Sequence, residues 1–478
     1  MKQNLRFIIL LIVVMISGLT NIAVAFTSLS DPLLYETLVN MKIPLVVINT
    51  VDGEEPTCEV VTPPPGAWGS GIQNATKVPA SMKIIVNGST LYDSGEYVKK
   101  ESGLTIKIRG NTSGKKAKKP YKLKLQKKAD LLLRNDKKFE DKDWVLLRTG
   151  RSLINPIGFW VSELIGQEWT PSHQFVNVYM NGTYRGLYVL CEHISVNRKC
   201  RINVDEEDGY VVEADPYWWN EDLCFSSSLT TPELKFTYKY PDTEDLTDEW
   251  HQAISEDVLA HETKISDDTY DEAYDCESFA KWLLAWDLLC NDDTAGGNMY
   301  LVKKDTNSKI CMGPIWDFDY ALHWSDDWVG LHYKYFYFHL MFDSTNDRFR
   351  KTFYSLWQDH GWEVVNGVID KINTFADSPE AIDYQRSINL ENELGFPYDW
   401  WQPYLGDLDF MRQYSVDFLT KRAKWIDSKM DEEYFLSNVE MDFYDNKKEE
   451  AFDMLGRSVH KDTPGLQIRG GKKIFVKP

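Results

Sequence analysis

The sequence predicts an α+β protein whose first half is rich in strands and whose second half is mostly helical. Three observations carry this. Short runs that alternate by side-chain face, such as Leu104–Arg109 and Tyr121–Leu125, recur before residue 200. Apolar residues at helical spacing dominate from about residue 243, with Phe279, Trp282, Leu283, Trp286 and Leu289 marking one face. At 478 residues with 43% hydrophobic content, the chain is long enough for two packed parts.

Taken in order, residues 41–52 read as a buried strand ending in a turn, followed by a Pro- and Gly-rich loop to about residue 80. Strands are expected at Met82–Val86, Leu104–Arg109 and Tyr121–Leu125, with a solvated basic loop at Lys115–Lys119. A helix is expected over Pro156–Ile165. Strands Phe175–Met180 and Gly186–Glu192 flank Asn181-Gly182, a strong hairpin signal. Further helices are expected at 279–289, 348–358, 361–375 and 408–430. The resulting division is 26–200 for the β-rich part, 201–437 for the helical part, and 438–478 for a strand-forming tail.

Residues 1–25 read as a cleavable signal peptide: Lys2 and Arg6, an apolar Phe7–Ile16, and Ala23-Val24-Ala25 before the cut. The apolar run is too short to span a bilayer, so secretion or surface/periplasmic delivery is expected. The net charge of −20 argues against nucleic acid as a partner. Seven cysteines without Cys-x-x-Cys or Cys/His spacing give no zinc site and no assignable disulfide.

The most informative segment is 291–319. Asp293 is followed five positions later by Asn298. Two β-like runs, Met299–Val302 and Lys309–Met312, then lead to Asp317-Phe318-Asp319, and a tight hairpin should return Asp317 beside Asp293 and Asn298. An Asp, an Asn five residues on, a hairpin and a metal-binding Asp is the order that protein kinases use. Mg²⁺ or Mn²⁺ needs few protein oxygens when phosphates complete its shell. Asn298 and Asp317 are thus candidate metal ligands, and Asp293 the candidate base for an acceptor hydroxyl. A wet acidic turn is the plain alternative.

Two upstream stretches could meet the nucleotide. Arg109-Gly110-Asn111 and Lys122-Leu123-Lys124 lie among thirteen Lys or Arg between 107 and 138. A strand-borne lysine neutralises phosphates, and Gly110 lets backbone approach them closely; a solvated basic strand is the alternative. Asn181-Gly182 to Glu192 forms a hairpin whose apolar return strand could frame a base, or could be structural with Glu192 paired to a cation. Glu163 reads as a surface glutamate.

Taken together, Arg109-Gly110-Asn111, Lys118-Lys119-Pro120-Tyr121-Lys122, Asp143-Trp144-Val145-Leu146-Leu147 and Asn181-Gly-x-Tyr-x-Gly-Leu-Tyr188 resemble the spore-coat CotH kinase family. So do Gly209-Tyr210-Val211-Val212-Glu213-x-Asp215, Lys239-x-Pro241-Asp242, the Asp293/Asn298/Tyr300 spacing and Trp316-Asp317-x-Asp319. The resemblance covers roughly residues 40–430. It implies a secreted, atypical protein-kinase-like fold of two lobes that moves phosphate from ATP, with a divalent metal, to Ser or Thr of proteins. By position it makes Asp293 the catalytic-loop Asp, Asn298 and Asp317 metal ligands, Asp319 a further ligand, and Lys122 or Lys124 the phosphate-contacting lysine. Arg109 and Glu192 complete the expected nucleotide contacts. No His-Arg precedes Asp293 and no kinase Gly-rich loop is present, which fits an atypical member and departs from ordinary kinases. Because nucleotide is scarce outside cells, a pseudokinase-like adhesin or binding module stands as the alternative. A metal-dependent hydrolase lacks histidine ligands. The tail resembles C-terminal segments of exported Bacteroidetes proteins. Four Asn-x-Ser/Thr sites (Asn74, Asn87, Asn111, Asn181) matter only in a eukaryotic host.

Overall fold

The computed structural model describes residues 28–67, 69–149, 152–229, 234–291, 293, 297–331, 336–397, 406–430 and 435, and four tail strands within 451–476. The expected signal peptide lies outside the described residues.

Asp31 caps the first helix, α1 (Pro32–Val39), by accepting from the Leu33 N–H at 2.9 Å. The strands that follow are β1 (Leu45–Thr50), β2 (Glu59–Val61), β3 (Gly71–Gln73), β4 (Val78–Val86), β5 (Ser89–Asp93) and β6 (Leu104–Ile108). Then come β7 (Tyr121–Ala129), β8 (Asp141–Arg148), β9 (His173–Met180) and β10 (Thr183–Glu192). Their order β1-β9-β10-β8-β7-β6-β4 returns on itself, because β4 also pairs with β1. The result is a closed ring of seven strands with β5 beside β4. Only β1–β9 is parallel. Closure removes the exposed edges that a strand-rich half would otherwise present.

Period-two alternation explains how the ring fills. On β7, Tyr121, Leu123 and Leu125 are buried inside while Lys122 and Lys124 face outward. Ile106, Trp144, Val178 and Leu190 complete that interior. The Asn181-Gly182 turn between β9 and β10 has φ of 51° and 73°, the left-handed pair that a two-residue hairpin needs.

Helix α2 (Ile154–Leu164) is inserted between β8 and β9, and the chain after β10 builds a five-stranded antiparallel sheet. That sheet is ordered β12-β13-β11-β14-β15, from β11 (Tyr210–Ala214), β12 (Cys224–Ser226), β13 (Lys235–Tyr240), β14 (Met299–Lys303) and β15 (Ile310–Met312). Helices α3 (Asp248–Ser266), α4 (Cys276–Leu289), α5 (Phe338–Asp343), α6 (Arg348–Ala376), α7 (Pro379–Glu393) and α8 (Leu408–Lys429) surround it. One continuous core joins this sheet, these helices and outward residues of the barrel such as Val145, Leu187 and Val189. The tail strands form a small sheet of their own. Among the described residues no helix is long and apolar enough to cross a membrane, and no disulfide joins any of the seven cysteines.

Three expectations need correction. The helices expected at 348–358 and 361–375 are one 29-residue helix, α6. Within it, a Cβ at Gly361 would sit 2.5 Å from the Trp357 ring, so glycine leaves that ring room against the helix. Helix α7 was not anticipated; its inner face carries Ser387 and Glu391 as well as apolar residues, which blurs the periodicity. Third, Lys118 is not solvated. It is buried, bonded to Glu391 Oε1 at 2.5 Å and to the Leu187 carbonyl at 2.6 Å. Gly186 has φ 102°, and a Cβ there would collide with Glu391, so glycine admits the carboxylate to the barrel wall.

A buried charge left alone is costly, whereas removing both partners is not. Glu391→Ala should therefore lower unfolding free energy by roughly 3–5 kcal/mol in a urea titration. The double variant Lys118→Met/Glu391→Leu should recover most of that loss.

Candidate functional site

The chemistry-bearing residues converge where α4 ends and the β14–β15 hairpin closes. Cys290 adopts φ 48° as the left-handed cap of α4, which turns Asn291 inward. Asn291 is fully buried; its side-chain amide donates to the Asp317 carbonyl at 2.9 Å, and its side-chain oxygen accepts from the Asp293 N–H at 3.3 Å. One side chain thereby holds both carboxylate-bearing segments. The hairpin register, Leu301↔Met312 and Lys303↔Ile310, brings the chain back alongside.

The far end of the hairpin is held by aromatic packing. Phe318 is fully buried against α2, its ring centroid 5.2 Å from that of Phe159 in an edge-on arrangement. A Cβ on Gly158 would sit 2.3 Å from the Phe318 ring, so glycine is what lets the ring seat. With Phe318 fixed, Asp317 and Asp319 turn the other way. Asp317 has φ 63° and Asn298 φ 65°, left-handed conformations that cost free energy and concentrate at functional sites.

A cavity of about 310 Å³ receives these groups. Asp293, Asn298, Asp317 and Asp319 line it together with Arg109, Gly110, Arg148, Glu213, Asp215 and Lys239. Arg148 pairs with Asp319 at 3.3 Å, and the Arg109 guanidinium lies 5.5 Å from the Trp316 ring centroid. Glu213 bridges two parts of the wall. One carboxylate oxygen is 2.7 Å from Lys239 Nζ and the other accepts from the Asn298 N–H at 3.0 Å.

The electrostatics are those of crowded acids. Burial first, then the Asp293 charge, push Asp317 up to about 6. Burial and Glu213 push Asp215 up to about 6 as well, although Asp215 accepts from the Thr237 hydroxyl and the Tyr217 N–H. Burial works against the Lys239 charge, but Glu213, Asp215 and Glu221 outweigh it and hold the ammonium above its usual range. Among the described residues no three Asp, Glu, His or Cys side chains are placed to hold a metal ion. The donors at hand, two mutually repelling carboxylates and an amide, are hard oxygens that suit Mg²⁺ or Mn²⁺ if a ligand's oxygens and water complete the shell.

Of the residues expected from sequence, Asp293, Asn298, Asp317, Asp319 and Arg109 share this cavity. Lys122, Lys124 and Glu192 do not line it. Lys122 pairs with Asp143 at 3.2 Å on the outside of the barrel, and Lys124 is exposed beside it. Glu192 is buried against Arg134 at 2.9 Å and accepts from the Ser172 N–H, the structural alternative for that strand end. Glu163 meets Lys371 at the surface rather than a strand lysine. Lys239, Glu213, Asp215 and Arg148 received no chemical role from the sequence. The first three stood inside short motifs, but only the pairing of β11 with β13 and β14 brings them to one wall.

A family model described as CotH kinase protein matches residues 106–361, from β6 into α6, and so spans every cavity residue named above. No curated protein matches the chain.

Because its folded carboxyl titrates near 6 rather than 3.8, Asp317 binds a proton more tightly folded than unfolded. Its contribution to stability is therefore lost as pH rises from about 4 through about 6. Without divalent metal, Asp317→Asn should melt several degrees above wild type at pH 8, and this gain should shrink as pH falls toward 4. Gly158→Ala should act in the opposite sense, lowering the melting temperature by displacing Phe318.

Proposed function

This chain belongs to the CotH kinase family, matched over more than half of its length, and from that premise we propose that it is a secreted protein kinase. In this reading it transfers phosphate from ATP to Ser or Thr hydroxyls of extracytoplasmic or surface proteins. The observation that carries the reading is the convergence of Asp293, Asn298 and Asp317 on one cavity opposite the Arg109-Gly110 corner. The order of a strand-rich part and then a helix-rich part supports an atypical two-lobed kinase-like organisation, and the apolar leader supports export.

The chain's own groups divide the work by charge and position. Asp293 orients the acceptor hydroxyl and takes its proton. Asn298 and Asp317 hold the divalent metal, and Asp319, steadied by Arg148, adds an oxygen beside them. The metal, when bound, neutralises phosphate charge as it builds in the transition state. Arg109 and Lys239 replace the strand lysines as the phosphate-contacting cations, since they border the cavity and Lys122 and Lys124 do not. Gly110, with φ 76°, borders the cavity, and its missing side chain makes room for the Ser113 hydroxyl, which also lines it.

A second reading, a pseudokinase-like surface binding module, is favoured by one observation: Glu213 already holds Lys239 at 2.7 Å. Incubation of the mature protein with labelled ATP, Mg²⁺ or Mn²⁺ and Ser/Thr-containing protein separates the two. Asp293→Asn should cut transfer by roughly 10²–10⁴-fold while leaving ATP–metal affinity intact. Equal labelling by wild type and Asp317→Ala would sink the kinase assignment. ATP–metal binding by calorimetry without any transfer would leave the binding module.

A further inference from the structure

The outer face of the barrel next to the cavity carries an arrangement that folding alone does not explain. Lys107 on β6 stands directly opposite Lys122 on β7, and Thr105 opposite Lys124. Lys77 comes just before β4, whose Val78 pairs with Ile106. The four lysines therefore occupy adjacent strands on one outward surface, since Ile106, Ile108, Leu123 and Leu125 take the interior positions between them. Like charges opposed across strands are destabilising. Burial and the neighbouring Lys122, Lys77 and Lys124 together depress the Lys107 ammonium below its usual range, which registers that repulsion. Lys122 has Asp143 at 3.2 Å; among the described residues no carboxylate is within ion-pair distance of Lys77, Lys107 or Lys124. A protein of net charge −20 has no need of such a cluster for solubility.

The cluster also has a direction. Lys107 and Arg109 share one face of the same chain segment, and Arg109 lines the cavity. Lys107 is attracted by Glu221, and Lys122 acts on His193, both of which line the cavity too. The basic ridge thus runs from open solvent to the cavity mouth.

We propose that the Lys77/Lys107/Lys122/Lys124 ridge is a docking surface for an acidic segment of the acceptor protein, holding Asp- or Glu-flanked Ser or Thr residues at the cavity. This deepens the kinase reading and rests on it for the acceptor's role, whereas capture of the acidic segment does not require turnover. Complementary charge of this kind selects partners and raises association rates, and it is screened by salt.

The test uses the full mature chain and two fluorescent peptides, each with one central Ser, one flanked by Asp and Glu and one by neutral residues. Anisotropy should show tighter binding of the acidic peptide, weakening as salt rises. In Lys77→Ala/Lys107→Ala its affinity should fall by roughly tenfold, while ATP–Mg²⁺ affinity by calorimetry stays the same. The melting temperature should hold or rise, because repulsion has been relieved; a variant that merely misfolds would melt lower. The proposal is overturned if the acidic peptide binds no tighter than the neutral one, or if the folded variant binds it as well as wild type. It is also overturned if ATP affinity falls in step, which would assign the ridge to the nucleotide, or if a short DNA strand displaces the peptide equally well, which would make it a general polyanion surface. A chain that captures the acidic peptide but transfers no phosphate fails the kinase reading alone.

Discussion

The seating of Phe318 against Gly158 is the contact on which the geometry of the cavity depends. It joins a helix inserted between two barrel strands to the returning arm of a hairpin more than 150 residues later. Burying that ring stabilises the junction by about 2–3 kcal/mol, and it does so with little rotational freedom. Because Phe318 must point into the core, its neighbours Asp317 and Asp319 must point away from it, into the cavity. Asn291 then locks the other side, bonding to both the Asp317 carbonyl and the Asp293 amide. Polar geometry at the cavity is thus a consequence of apolar packing behind it.

That geometry is held against its own electrostatics. Asp293 and Asp317 repel, Glu213 and Asp215 repel, and Asp317 and Asn298 occupy left-handed backbone conformations. A fold optimised only for stability would neutralise some of these acids. Arg148 pairs with Asp319 and Lys239 with Glu213, while Arg109 and Arg148 offset only part of the burial and Asp293 repulsion that raise Asp317. In the kinase reading, a divalent cation arriving with a ligand's phosphates would relieve that repulsion.

How much of this was legible in the sequence follows from how local each signal is. The hairpin after Asn298, the Asn181-Gly182 turn and helix α4 are local patterns, and all three are in place. Asp293, Asn298 and Asp317 line one cavity because a tight hairpin turns sequence distance into spatial proximity. Lys122 and Lys124 were singled out because they alternate with apolar residues, but alternation shows only that they face away from the barrel interior. It does not reveal which outward surface they share. Lys239 and Glu213 were the reverse case, conspicuous in short motifs yet without a role until antiparallel pairing joined their strands. Lys118 reads as one more solvated lysine among many, and only the approach of Glu391, admitted by Gly186, shows it to be core.

The barrel's closure explains why one stretch of chain serves two opposed purposes. A closed ring commits one side of every strand to its interior, so the apolar half of the alternation on β6 and β7 has no freedom. The outward half does have freedom, and at Lys107, Lys122 and Lys124 it is occupied by cations that repel across the strands. Since the interior already fixes register, the ring tolerates this repulsion without slipping, because a one-residue shift would expose Ile106 and Leu123. Rigid strands that keep like charges at a set spacing lose little further freedom when an opposite charge binds across them. The same apolar alternation that closes the barrel therefore pre-arranges the basic ridge leading to Arg109 and the cavity.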